Sequence, residues 1–294
     1  VCLLNNKNKN IAMPKVLACG RFRVDLSIPK IMAILNVTPD SFSGDGCLTR
    51  DAALRAAERA ISEGADILDI GGESSRPGAL PVEEQEEMDR VLPVVEALVS
   101  LGMPLSVDTT KPSVMREVIK AGADLINDIS AFQADGAIDV VRDSGAALCV
   151  MHMKGQPRTM QIAPFYGNVL SEVKEFLAGR AEALVESGVA SDRILLDPGF
   201  GFGKSLDHNV TILKCLGSIG RSDYPLLVGM SRKSMLGQIT GRDVGDRAVA
   251  GALAAMIAIQ NGARVVRTHD IAATRDAVRV WTALEAIGRA ACQE

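Results

Sequence analysis

The chain has 294 residues, is 47% hydrophobic and only 3% aromatic, and carries a net charge of -4. That composition supports a full aliphatic core and excludes a disordered chain. No basic run interleaves with aromatics, so nucleic acid is not an expected partner, and no apolar run reaches membrane-spanning length. Six scattered cysteines (Cys2, Cys19, Cys47, Cys149, Cys215, Cys292) form no C-x-x-C pair. A disulfide framework or zinc site is therefore not expected, and a reducing, cytoplasmic setting is.

Residues 1–14 are rich in Asn and Lys and read as a disordered or vector-derived leader, leaving 15–294 as one domain. Cys19–Pro29 is expected to form a short hairpin or lid. Eight aliphatic runs follow, each ending in polar residues. Ile31–Leu35 ends at Asn36, and Ile67-Leu68 meets Asp69 and then Gly71-Gly-Glu-Ser-Ser-Arg-Pro-Gly78. Leu105–Val107 ends at Asp108, Leu125-Ile126 at Asn127-Asp128, and Ala147–Val150 runs toward His152. Ile194–Leu196 ends at Asp197, Leu226–Val228 at Gly229 before Ser231-Arg232-Lys233, and Val265-Val266 at Arg267-Thr268-His269. Such solid runs suit parallel strands buried on both faces.

Helical stretches separate the runs. Asp51 suits the cap of a helix over Ala52–Glu63, and Pro112 suits the start of one over Ser113–Lys120. A recurrent glycine (Gly64, Gly102, Gly122, Gly145, Gly188, Gly262) precedes most strands, where a left-handed cap would end the helix. Alternating strands and helices give parallel pairing with right-handed crossovers. Eight runs favour an α/β fold of one class: a single (β/α)8 TIM barrel with a short N-terminal hairpin. In such a barrel the polar run-ends share one mouth, where barrels of this kind do chemistry.

Three of these ends, Asp108, Asn127 and Asp197, suit a flat heterocycle. A carboxylate can take adjacent N–H donors, and Asn can read a mixed donor and acceptor edge. Capping of local loops is the competing account for each, and for Asp128 it is the preferred one. Arg267, His269 and Ser231-Arg232-Lys233-Ser234 fall after strands seven and eight, where barrels often hold phosphate. Lys233 as a Schiff-base lysine is an alternative. Asn36 is an oxygen donor suited to Mg²⁺, which keeps waters and shares phosphate oxygens. Two loops rich in Gly, Pro and hydroxyls, 36–46 and 71–78, read as functional rather than plain connections. Asp197-Pro-Gly-Phe-Gly-Phe-Gly-Lys204 lacks the spacing of a nucleotide-binding P-loop. It reads instead as a loop presenting Phe200 and Phe202 beside a ring, with hydrophobic plugging the alternative for one of them.

The motifs taken together are specific. Asn36-Val-Thr-Pro-Asp-Ser-Phe-Ser, Gly71-Gly-Glu-Ser-Ser-Arg-Pro-Gly, Ser106-Val-Asp-Thr, Asn127-Asp-Ile, Met151-His-Met, Leu196-Asp-Pro-Gly-Phe-Gly-Phe-Gly-Lys, Ser231-Arg-Lys-Ser and Arg267-Thr-His-Asp occur in this order. In this the chain resembles the dihydropteroate synthases over residues 15–285. The resemblance implies a Mg²⁺-dependent, usually homodimeric transferase of folate biosynthesis and a sulfonamide target. Such an enzyme joins 4-aminobenzoate to a dihydropterin methyl diphosphate and releases diphosphate. It implies that Asn36 binds Mg²⁺, that Asp108, Asn127, Asp197 and Lys233 hold the pterin, and that Arg267 and His269 take the diphosphate. It places Ser75 and Arg76 against substrate, and Phe42, Pro77, Phe202 and Ser234 around the aminobenzoate. Ser75 replaces the family's usual Thr, and Ser43-Gly44-Asp45-Gly46 departs from the usual Ser-Asp-Gly-Gly, which leaves the position of Asp45 open. Two rivals are a methyltetrahydrofolate–corrinoid methyltransferase, which needs no diphosphate site, and a catalytically silent pterin-binding scaffold.

Overall fold

The computed structural model describes residues 16–37, 50–74, 78–219 and 224–291. The leader, Phe42, Asp45, Ser75, Arg76 and Pro77 lie outside the described residues. The chain opens with an antiparallel hairpin, β1 (Val16–Cys19) and β2 (Phe22–Asp25), turning at Arg21. The barrel then alternates strands with helices. Its first part is β3 (Lys30–Asn36), α1 (Arg50–Ser62), β4 (Ile67–Gly71), α2 (Glu84–Leu98), β5 (Leu105–Asp108), α3 (Pro112–Ala121) and β6 (Leu125–Asp128). It continues through α4 (Ala137–Arg142), β7 (Ala147–Met151), α5 (Val169–Glu186), β8 (Ile194–Asp197), α6 (Leu206–Lys214), α7 (Leu216–Ile219) and β9 (Leu226–Gly229). It closes with α8 (Ser234–Thr240), α9 (Ala248–Gln260), β10 (Ala263–Thr268) and α10 (Ile271–Ala291).

Among the described residues eight parallel strands close into a barrel in the order β10-β3-β4-β5-β6-β7-β8-β9. The expected TIM barrel is present, and so is an N-terminal hairpin, three residues earlier at its start than the expected Cys19–Pro29. Helix ends follow the expected chemistry closely. Pro112 is the first residue of α3, where its missing N–H costs nothing. The helix expected over Ala52–Glu63 starts two residues earlier, at Arg50, so Asp51 lies in its first turn, where an acidic group favours the helix dipole, and not at its cap. Gly122 takes a left-handed φ of 108° and ends α3. Gly145 is the exception to the glycine pattern and does not adopt a positive φ, because α4 ends earlier, at Arg142.

Strand pleating sorts side chains by parity. Leu68, Ile70, Val107, Ile126, Leu148, Val150, Leu196 and Val228 pack outward against the helices in one large aliphatic cluster. Met32, Ile67, Leu125, Cys149, Leu195, Leu227 and Val265 point inward and fill the N-terminal end of the barrel. Leu17, Cys19, Val24 and Leu26 of the hairpin pack onto that inner layer. The hairpin is thus a plug for the bottom of the barrel, not a lid over its mouth. Each of Leu17 and Leu26 buried there contributes about 1.5–3 kcal/mol. Asp124, 1% exposed, pins the plug: its carboxylate accepts from the Arg21 guanidinium at 2.7 Å and from the Arg21 backbone N–H at 3.0 Å.

Candidate active site

With the bottom sealed, the inward positions at the other end of the strands are polar. Asn36, Gly71, Asp108 and Asn127 are lateral partners across β3, β4, β5 and β6. Gly71 leaves room between its neighbours: a Cβ there would stand 3.7 Å from Asp108 Cβ and 3.9 Å from Asn36 Oδ1. Asp197 ends β8 and Arg267 lies one residue from the end of β10, both facing the same interior. The convergence expected of Asp108, Asn127, Asp197 and Arg267 is therefore present.

Arg267 organises this interior. Its Nε donates to Asp69 Oδ2 at 2.6 Å and its Nη2 to Asp108 Oδ2 at 2.8 Å. Asp69 is completely buried and also accepts from the Ser106 hydroxyl. Two carboxylates thus share one guanidinium, with Asp197 close enough to act on the same charge. Burial pushes the Asp108 pKa up to about 7; Arg267 opposes that rise and Asp69 adds to it. Burial raises the Asp197 carboxyl too, against the pull of Lys233. Asp69 stands at a run-end in the sequence without an assigned role. Its signal was parity: it lies two residues after inward Ile67 and two before Gly71.

Asp128, next to inward Asn127, points the other way. Its carboxylate accepts the backbone N–H groups of Ser130 and Phe132 at 2.7 Å each, the structural role expected of it.

Lys233 caps α8 and turns inward. Its ammonium donates to the Phe200 carbonyl and lies 4.5 Å from the centre of the Phe202 ring. Burial lowers its pKa to about 8, while Asp197 holds it up. Phe200 is fully buried in the outer core and is a plug, whereas Phe202 packs with Met151 and Met160 at the mouth. Of the two aromatics of this loop, Phe200 thus takes the plugging role and Phe202 is the one at the mouth. Arg232 instead takes a left-handed φ of 59° and pairs with Asp270 on the rim at 2.6 Å. His269 lies just past β10, where its Nδ1 is 3.1 Å from Ser231 Oγ and its backbone N–H donates to the same oxygen. Ser234 begins α8 and lines a cleft of about 350 Å³ with Gln161, Pro164, Ser205 and Asn209.

At the root of the second loop, Lys111 bridges Glu73 and buried Glu87 of α2. Among the described residues no group of three or more His, Cys, Asp or Glu side chains is gathered as a metal cage. A Mg²⁺ ion that keeps its waters and binds substrate phosphate needs no such cage, so a single oxygen donor such as Asn36 fits it.

This geometry can be set beside known proteins. A sequence model of the family described as pterin binding enzyme matches residues 32–269. A dihydropteroate synthase of Haemophilus influenzae is 47% identical over 262 residues, which cover 88% of this chain and 95% of that protein. The chain belongs to the dihydropteroate synthases. Solved dihydropteroate synthases share the fold: the Burkholderia cenocepacia enzyme complexed with 7,8-dihydropteroate is 53% identical with a TM-score of 0.87, covering 94% of this chain and 99% of that one. The Yersinia pestis dihydropteroate synthase in a sulfonamide drug complex is 46% identical with a TM-score of 0.88, covering 92% and 99%. Family, barrel fold and transferase class thus agree with what the motifs implied.

Proposed function

We propose that this transferase joins 4-aminobenzoate to a dihydropterin methyl diphosphate in the mouth described above, giving 7,8-dihydropteroate and diphosphate. The observation that carries the reading is the Asp69–Arg267–Asp108 cluster, flanked by Asn127, Asp197 and Lys233 at one barrel end. Asp108, Asn127 and Asp197 supply acceptors, and Asn127 also a donor pair, for the edges of a flat amide-type ring. Lys233 adds a donor over the Phe202 face, and Asp69 joins the set as the residue that orients Arg267.

The chemistry that suits these groups is dissociative substitution. Arg267 shares its donors between carboxylates and still has N–H groups to give an anion. With His269 it would steady the departing diphosphate. Mg²⁺, when bound beside Asn36, supplies further charge neutralisation to the phosphate oxygens. As the leaving group departs, positive charge spreads from the methylene into the ring, and the preorganised Asp108 carboxylate stabilises it. The neutral arylamine then attacks, so no strong base is required. Phe42, Ser75, Arg76, Pro77, Phe202 and Ser234 would surround the amine. A sulfonamide, with its aniline and anionic head, would compete there.

A homodimer is also part of the proposal. Val249, Leu253 and Ile257 form an exposed stripe on α9, and Val280, Leu284 and Ile287 another on the adjoining α10. Apolar surface of this kind commonly marks an interface. The opposite face of α9, Ala254, Ala255, Ala258 and Ile259, packs on the barrel, which leaves the outer stripe available to a second copy. A cytoplasmic location is supported by the free thiols of Cys19, Cys149 and Cys215 among the described residues. No helix of the described residues is long and apolar enough to cross a membrane.

The test is direct. Formation of dihydropteroate with release of diphosphate should require both substrates and Mg²⁺ together. Failure to form dihydropteroate and diphosphate with all three present would contradict the reading.

A further inference from the structure

Lys204 ends the glycine-rich segment after β8 but does not face the mouth. It is 3% exposed, and its ammonium meets four acceptors. These are the Gly199 carbonyl at 2.9 Å, the Phe202 carbonyl at 3.0 Å, the His152 carbonyl at 3.3 Å and His152 Nδ1 at 2.9 Å. Taking a charge out of water is costly unless such partners replace the lost hydration. Here three carbonyl dipoles and a ring nitrogen do so in part: burial still lowers the Lys204 pKa to about 7, against the pull of Asp197, so the ammonium is the form present below that value. For Nδ1 to accept, the His152 ring must carry its proton on Nε2. The ring is 5% exposed and edge-on to Phe176, and burial, reinforced by Lys204, pushes its pKa down to about 3, so it stays neutral.

The segment gathered around this ammonium touches the pocket at three points. The Gly199 N–H donates to Asp197 Oδ1 at 2.7 Å. The Phe200 carbonyl is the acceptor of Lys233. The Phe202 ring lies beside the Lys233 ammonium. The segment also has no freedom to drift from the chain after β7. Gly199 and Gly203 hold left-handed φ values of 67° and 64°, and a Cβ at either would run into the carbonyl of His152 or Lys154. The Tyr166 hydroxyl donates to the Gly203 carbonyl at 2.9 Å, and the His152 N–H to the Asp197 carbonyl at 2.9 Å.

We propose that Lys204 is a positioning residue: its ammonium, received by the Nε2–H tautomer of His152, is the internal cation around which residues 199–203 fold, and that fold sets the places of Asp197, Phe202 and Lys233 in the ring pocket. The inference rests on the pterin reading of that pocket, and the experiment separates the two.

Lys204→Met keeps the chain length and removes the charge. Calorimetric titration with 6-hydroxymethyl-7,8-dihydropterin should show binding by the wild-type protein and at least about tenfold weaker binding by the variant, the loss that one misplaced hydrogen bond to the ring would carry. The KM for the pterin substrate should rise in step, with a smaller change in kcat. The variant should melt cooperatively. Nitrogen-15 NMR supplies a second readout, simplified because the chain has three histidines. In wild-type protein His152 should be neutral with a bare Nδ1 from pH 5 to 6, below the lowered Lys204 pKa of about 7, and in Lys204→Met that tautomer preference should be lost. A folded variant that binds the pterin like wild type overturns the proposal. So does a proton on Nδ1 in the wild type, a result that decides the matter even where the variant fails to fold. A wild-type protein that binds no pterin overturns the pocket reading itself.

Discussion

The Arg267 guanidinium lies between two carboxylates, 2.6 Å from Asp69 and 2.8 Å from Asp108. The cluster carries more negative than positive charge in a place with little water. Removing its cation strands both acids. Arg267→Met should therefore cost about 3–5 kcal/mol of stability, as breaking buried pairs does. The pH dependence has a definite sign. Without Arg267 the Asp108 pKa in the folded state rises further above its unfolded value, so the folded form gains from protonation. The deficit should shrink as pH falls from 8 to 5.5. Urea midpoints at those two pH values measure it; an equal deficit at both would count against this description of the cluster.

Asp108→Asn conserves shape and removes charge. The variant should fold and lose turnover by ~10²–10³, the scale on which single preorganised electrostatic partners act. Turnover near wild type in the purified variant would remove Asp108 from the proposed chemistry.

Pterin affinity should be greatest in a narrow range of pH. Burial raises the Asp108 pKa to about 7, so its acceptor charge is complete only above that value. Burial lowers the Lys233 pKa to about 8, so its donor charge is complete only below it. Calorimetric affinity for a dihydropterin should fall on both sides of this interval. Lys233→Met should abolish the alkaline limb alone. Persistence of that limb in the variant would assign it to another group.

Metal dependence should be strict yet weakly anchored. Chelation should stop turnover and added Mg²⁺ should restore it. Asn36→Ala should raise the Mg²⁺ concentration for half-maximal rate roughly tenfold, since an ion of this kind takes few ligands from protein. Aminobenzoate should bind poorly until diphosphate and Mg²⁺ are present, because in the proposed order of events these groups complete its site. Equal aminobenzoate affinity in their absence, by calorimetry, would contradict that order of binding.

Association should depend on the α9 stripe. Leu253→Glu combined with Ile257→Lys places charge on an apolar face whose residues do not support the barrel core. Sedimentation equilibrium should change from dimer to monomer with the melting of the barrel little altered. An unchanged dimer would place the interface elsewhere.

The eight run-ends, the glycine caps and Pro112 were legible because each reports a local constraint: burial on two faces, a left-handed turn, a missing N–H. The order of those runs also specified the barrel, since parallel strands joined by helices have few ways to pack. Parity was different. Asn127 and Asp128 are adjacent and chemically alike, and only the pleat of β6 sends one into the mouth and the other to backbone amides. The partnership of Asp69, Asp108 and Arg267 spans up to 198 positions of chain and follows from barrel closure, which brings β10 within reach of β4 and β5. The hairpin shows the same division. A hairpin was expected over Cys19–Pro29, but its strands, Val16–Cys19 and Phe22–Asp25, begin earlier, and its place at the bottom depended on the inner layer around Met32 and Leu227 and on a salt bridge from Arg21 to Asp124. Local pattern determined which elements this chain makes and where their reactive residues fall; long-range packing decided which of those residues meet, because contact between distant groups depends on how the sheet closes and not on their spacing along the chain.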